Sequence, residues 1–99
     1  MALQIIWTIN ALEDYEKVVN YLLQEWSLKI VEAFVQTVDK RTEKLTSLPY
    51  LGRASANEPS IRSIILTKHN KLYYRISKDA IEILNVFDTR QDTSKNKFD

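Results

Sequence analysis

The sequence predicts an α+β domain in the order β-α-α-β-β-β, an antiparallel helical hairpin packed on a small, mainly antiparallel sheet. Three observations carry that expectation. The one glycine and the two prolines, Pro49, Gly52 and Pro59, all fall within about a dozen residues, so the chain divides there. Ahead of that stretch the apolar residues recur at helical spacing, and behind it they follow the period of strands. With 99 residues, 44% apolar and 10% aromatic, the chain can fill one core but not two. The expected unit is therefore a single domain over residues 1–99, with a polar tail, 91–99, that frays.

The elements follow in order. Leu3-Gln-Ile-Ile-Trp-Thr8 is β-branched and aromatic, with Leu3, Ile5 and Trp7 on one face, and reads as a short strand. Thr8 offers a hydroxyl to cap a helix starting at Ile9 or Asn10, with Glu13, Asp14 and Glu16 near its positive end. Ala11, Tyr15, Val18, Val19, Leu22, Leu23 and Trp26 then form one apolar stripe. Ser27 can cap a second helix, striped by Ile30, Phe34, Val38 and Leu45 and widened by Val31 and Val35; the link is so short that the helices must be antiparallel. After the turn Leu48-Pro-Tyr-Leu-Gly-Arg53 and a polar segment, Ala54 to Ser60, three strand-like runs follow: Ile61 to Leu66, Leu72 to Ile76, and Ala80 to Phe87. Their short connections predict a meander of hairpins. In the last run Ile81, Ile83 and Asn85 alternate with Glu82, Leu84 and Val86, and apolar residues on both parities predict a central strand covered on both faces.

Composition excludes several kinds of chemistry. There is no cysteine, so disulfides, thiol nucleophiles and Cys-based metal sites are ruled out, and the single His69 rules out a histidine cluster. No cofactor is expected. The apolar run at Leu3 to Ile6 is too short to span a membrane or serve as an export signal, so the cytosol is the expected compartment. The net charge of +1 hides an asymmetry: up to Gly52 there are 5 basic and 7 acidic residues, whereas Arg53 to Lys78 holds 6 basic residues against Glu58 alone. Either the domain has a basic face for an anionic partner, or the two segments neutralise each other in space.

The residues also resemble a known family. Ile6-Trp7-Thr8, Ala11 and Asp14, Tyr21 with Trp26, Ala33-Phe34, Leu48-Pro49 with Gly52-Arg53, Ile61-Arg62, Tyr73-Tyr74-Arg75 and Phe87-Asp88-Thr89-Arg90 together look like the RelE/ParE superfamily of toxins, the plasmid-stabilisation members of type II toxin-antitoxin systems. No one motif is specific; their order and spacing carry the likeness from Leu3 to about Arg90. The resemblance implies a toxin neutralised by a cognate antitoxin in a hetero-oligomer. It also implies one of two actions, because both occur on this fold: inhibition of DNA gyrase or a related target, as in the ParE branch, or metal-independent cleavage of messenger RNA in the ribosome, as in the RelE branch. The long helices resemble the ParE branch more closely. A binding module that has kept the fold and lost toxicity is the third reading.

The candidate contact set for an anionic target is Arg53, Arg62, Lys68, Lys71, Tyr73, Arg75 and Arg90. If the chain is a ribonuclease, the resemblance makes Arg62, Arg75 and Arg90 the catalytic candidates, since guanidinium groups can clamp a phosphate bidentately. Arg62 and Arg75 have an alternative role as partners of Asp88, Glu82 or Glu58 on the sheet surface. Near Arg90, where the RNA-cutting members carry a tyrosine or histidine, this chain has Asp88-Thr89-Arg90-Gln91, which supplies no proton donor with a pKa near neutrality. His69 is expected in a hairpin turn rather than in a catalytic setting. Tyr73 and Tyr74 must point to opposite faces, one onto the helices and the other either to solvent, where it could stack on a base, or into a cross-strand contact.

Overall fold

Thr8 decides where the first strand stops and the first helix begins. Strand β1 covers Gln4–Trp7. The Thr8 hydroxyl donates to the Ile83 carbonyl at 2.8 Å and accepts the Ala11 amide at 3.2 Å, so one side chain joins the sheet to the N-terminus of α1, Ile9–Glu25. Trp26 and Ser27 alone link it to α2, Leu28–Ser47, where the Ser27 hydroxyl accepts the Ile30 amide at 3.4 Å. Both caps are the ones the sequence predicts. The structure, a computed structural model, describes residues 3–89; Arg90 and the tail 91–99, with its expected fraying, lie outside the described residues.

Four more strands follow: β2 (Arg53–Ala54), β3 (Ile61–Thr67), β4 (Asn70–Ser77) and β5 (Ala80–Asp88). The sheet order is β1-β5-β4-β3-β2, with β1 parallel to β5 and every other pair antiparallel. The predicted α+β architecture is borne out, and the strand missing from the expectation is β2. Two residues flanked by turn-formers carry no alternation to read.

On the helix side of the sheet, Ala11, Phe34, Val38, Leu45, Leu66, Leu72, Tyr74, Ile81, Ile83 and Val86 form the main core, with Leu3, Ile5 and Trp7 of the first strand packed against it. Trp7 and Tyr15 meet at 5.3 Å between ring centroids and Tyr15 meets Phe34 edge-on at 5.8 Å, tying β1, α1 and α2 together. The helical stripes run farther than the core does. Leu23, Trp26 and Ile30, expected inside, are exposed near the hairpin tip, Trp26 by 64%. An amphipathic period shows which side of a helix is apolar, not how far the surface beneath it extends.

Two bulges set which side chains share a face. Thr67 pairs with Asn70, but Ile65 pairs with Lys71, so Leu66 is an extra residue in β3. Likewise Tyr73 pairs with Asn85 while Tyr74 pairs with Ile83, leaving Leu84 unmatched in β5. The second bulge reverses the parity expected for Val86, which joins Ile81 and Ile83 in the main core, while Leu84 and Phe87 join Ile61 and Tyr73 in a second cluster. Beyond the end of β1, Asp14 of α1 covers the bulged stretch: its carboxylate accepts the Asn85 amide nitrogen at 2.6 Å and the Val86 backbone N–H at 3.1 Å.

Candidate functional site

The first of the two bulges separates the arginines proposed as a phosphate clamp. Had the pairing of Thr67 with Asn70 continued without it, Arg62 would lie opposite Arg75; instead Arg62 faces Tyr74 and Arg75 faces Ile61, which puts the two on opposite faces of the sheet. Arg75 pairs with Glu82 on β5, its Nε and Nη2 both donating to one carboxylate oxygen at 3.1 Å, which is one of the pairings the sequence left open. Arg62 finds carbonyls rather than a carboxylate. It donates to Gly52 O at 2.7 Å and Tyr50 O at 3.4 Å and lies 5.0 Å from the Tyr50 ring centroid.

Arg62 is thus part of a clamp on the turn that follows α2. Tyr74, fully buried, donates its hydroxyl to Pro49 O at 2.7 Å and accepts the Gly52 amide at 2.9 Å. A Cβ on Gly52 would come within 2.6 Å of the Tyr74 hydroxyl oxygen and 2.8 Å of Ser63 O, so the close approach of turn to sheet requires glycine here. Burial pushes the Tyr74 phenol above its ordinary pKa, an effect opposed by the Gly52 hydrogen bond and by the charge of Arg62.

The opposite face of the sheet holds the cleft. Arg53, Ser63 and Tyr73 are consecutive cross-strand neighbours on β2, β3 and β4. With Ala54, Ser55, Ala56 and Lys71 they line an open depression of about 280 Å³. Neither Arg53 nor Lys71 has a carboxylate partner among the described residues. Two cations beside the hydroxyls of Ser55 and Ser63 can hold an anionic group. Tyr73 is 99% buried in the second cluster, so of the two alternatives the cross-strand contact is the one found and no tyrosine at 73 or 74 faces solvent: the far face has apolar cover of its own from Ile61, Leu84 and Phe87. Ser55 and Ser63 carry no signal in the sequence, since only strand β2, which has no readable alternation, brings them beside Arg53.

The other candidates lie elsewhere. Lys68 is exposed in the two-residue turn between β3 and β4, and His69 beside it is half-buried, its carbonyl accepting the Thr89 amide at 2.8 Å. That is the turn position expected of it. Arg90 lies outside the described residues. Among the described residues no cluster of three or more His, Cys, Asp or Glu side chains could hold a metal ion, and no helix is long and apolar enough to cross a membrane.

Known structures share this fold. The chromosomal ParDE toxin-antitoxin system from P. aeruginosa includes a chain that superposes with a TM-score of 0.73 at 17% identity, over 88% of this chain and 96% of that one. A YoeB/ParE toxin from Agrobacterium tumefaciens matches with a TM-score of 0.65 at 15% identity, covering 87% and 98% of the two chains. The RelBE2 toxin-antitoxin complex from Mycobacterium tuberculosis gives 0.61 at 21% identity, covering 89% and 99%. At such identities the likeness is one of fold. No curated protein matches the sequence. The family model for the ParE toxin of the type II toxin-antitoxin system parDE matches residues 5–93, nearly the whole of the chain, and with the fold in agreement the chain belongs to that family of toxins.

Proposed function

We propose that this toxin acts by binding rather than by chemistry of its own, with DNA gyrase as its target and the cytosol as its place of action. The observation that carries this reading is the separation of Arg62 from Arg75. Each sits on its own face of the sheet and is engaged by a neighbour in the fold, so among the described residues they form no joint grip on a scissile phosphate. The cleft of Arg53 and Lys71 supplies the contact to an anionic surface, in keeping with the first of the two readings of the charge asymmetry.

A cognate antitoxin is the second partner. Beyond Ser63 the outer edge of β3 has no strand neighbour among the described residues, so an extended segment of antitoxin can pair there while a helical segment covers the exposed apolar residues of the helical hairpin. The test is induction of the chain without its partner, with transcript cleavage and gyrase–DNA adducts followed in parallel. Adducts with intact transcripts are expected. Cleaved messages would place the chain with the ribosome-dependent nucleases, and unimpaired growth would make it a binding module without toxicity.

A further inference from the structure

The turn between α2 and β2 combines two properties that rarely coincide. Leu48, Tyr50 and Leu51 are exposed by 50%, 69% and 50%, three large apolar side chains within four residues. The backbone that carries them is nevertheless held on every side: Leu48 N–H donates to Lys44 O, Leu51 N–H to Leu48 O, Tyr74 grips Pro49 and Gly52, and Arg62 grips Tyr50 and Gly52. Exposed apolar residues scattered singly need no explanation, but three within four residues on a held turn mark an interaction site. Such a group binds at low entropic cost because its conformation is already fixed.

From these observations we infer that the Leu48–Leu51 turn is the knob by which the toxin docks on a folded target protein, in an apolar pocket rimmed by carboxylates. Apolar side chains carried on a backbone held by Tyr74 and Arg62 suit a preformed pocket, which a folded protein can present. The charge follows from its neighbours: Arg62 lies 5.0 Å from the Tyr50 ring, Lys44 stands in the last turn of α2 leading into it, and Arg53 follows Gly52. Tyr50 with Arg62 beside its ring is the anchor, tyrosine and arginine being enriched among the residues that dominate binding energy. The inference rests on the proposed action at a protein target, and it adds the epitope and the chemistry of the matching surface. Arg53 follows Gly52 directly, so the knob and the basic cleft are adjacent along the chain.

The experiment uses the full chain and a double variant, Tyr50→Ser with Leu51→Ser, which leaves Pro49, Gly52, Arg62 and Tyr74 in place. Inhibition of purified DNA gyrase is titrated in a supercoiling assay, beside growth arrest on induction, rescue by the protein encoded in the adjacent reading frame, and melting temperature. The expected result is an unchanged melting temperature, unchanged binding of the neighbouring protein, and a loss of inhibition on the order of 30-fold. Inhibition equal to that of the original chain overturns the knob and leaves the gyrase reading intact. If the original chain arrests growth without inhibiting gyrase, the gyrase reading fails; the knob then stands if the variant no longer arrests growth and falls if it does. Loss of binding to the neighbouring protein would assign the turn to the antitoxin and overturn the inference. An original chain that arrests nothing would overturn both readings.

Discussion

The two faces of the sheet are made from the same strands and put their polar side chains to different uses. On the helix side, Thr8, Asp14, Arg62 and Tyr74 all end on backbone groups: Thr8 on Ile83 and Ala11, Asp14 on Val86, Arg62 on Gly52, Tyr74 on Pro49 and Gly52. On the far side, Arg53 and Lys71 flank an open cleft, and Arg75 meets Glu82 at the surface. Polar residues that bridge elements hold the fold, because their loss strands a partner inside it. Those that face an open cleft leave nothing stranded and are available to a ligand. The difference turns on where a side chain ends rather than on its type.

Substitutions can break or sharpen this comparison. Gly52→Ala should have the largest effect, since the added methyl collides with Tyr74 and with the Ser63 carbonyl; a loss of about 3 kcal/mol or more is expected in chemical denaturation. A loss under about 1 kcal/mol would mean the turn is not clamped. Tyr74→Phe keeps the ring but removes a hydroxyl with two backbone partners, and should lower stability by roughly 1 to 3 kcal/mol.

The same tyrosine predicts a pH dependence. Burial holds the phenols of Tyr74 and Tyr15 above the ordinary value of 10.0, with Asp39 adding to the shift at Tyr15. Past pH 10 the unfolded chain therefore releases protons that the folded chain keeps, and stability should fall as pH rises towards the folded-state values. The fall should be shallower in Tyr74→Phe; melting curves recorded from pH 8 upward would check the slope. Lys78 belongs to neither face and sits in the β4–β5 turn at φ 40°, where a side chain is strained. Lys78→Asn should raise stability by up to about 1 kcal/mol in the same assay. The smallest effect belongs to the cleft: Arg53→Glu with Lys71→Glu should leave stability within roughly 0.5 kcal/mol while weakening growth arrest on induction. A larger loss of stability would place these two with the helix-side group.

Much of this fold is legible in the sequence because its signals are local. Thr8 and Ser27 are caps that read as caps, and the change of apolar period across Pro49 and Gly52 separates helices from strands. What the sequence hides lies between segments. Alternation puts Tyr73 and Tyr74 on opposite faces but does not reveal that Ile61, Leu84 and Phe87 cover the second face. Helical period shows the stripe through Trp26 but not that the main core ends before it. The candidate arginines suffered most, because counting along β3 and β4 cannot reveal a bulge at Leu66, and that bulge alone decides whether Arg62 and Arg75 share a face. Charge alone marks Arg53 and Lys71 in the sequence, and their meeting at one cleft comes from β2.

The residue inserted at Leu66 also bears on how such a chain can diverge. From Ile61 to Ile65 the inside and outside of β3 are defined relative to a hairpin that is one residue longer on one arm. A substitution there changes one side chain, but a one-residue deletion would exchange the facing of five positions at once, turning Ile61 towards the helices and Arg62 towards the cleft. Descendants can therefore drift widely in composition along this strand while their length stays fixed. Any lineage that lost the extra residue would have to redraw both surfaces of the sheet together, and it would bring Arg62 and Arg75 onto a common face.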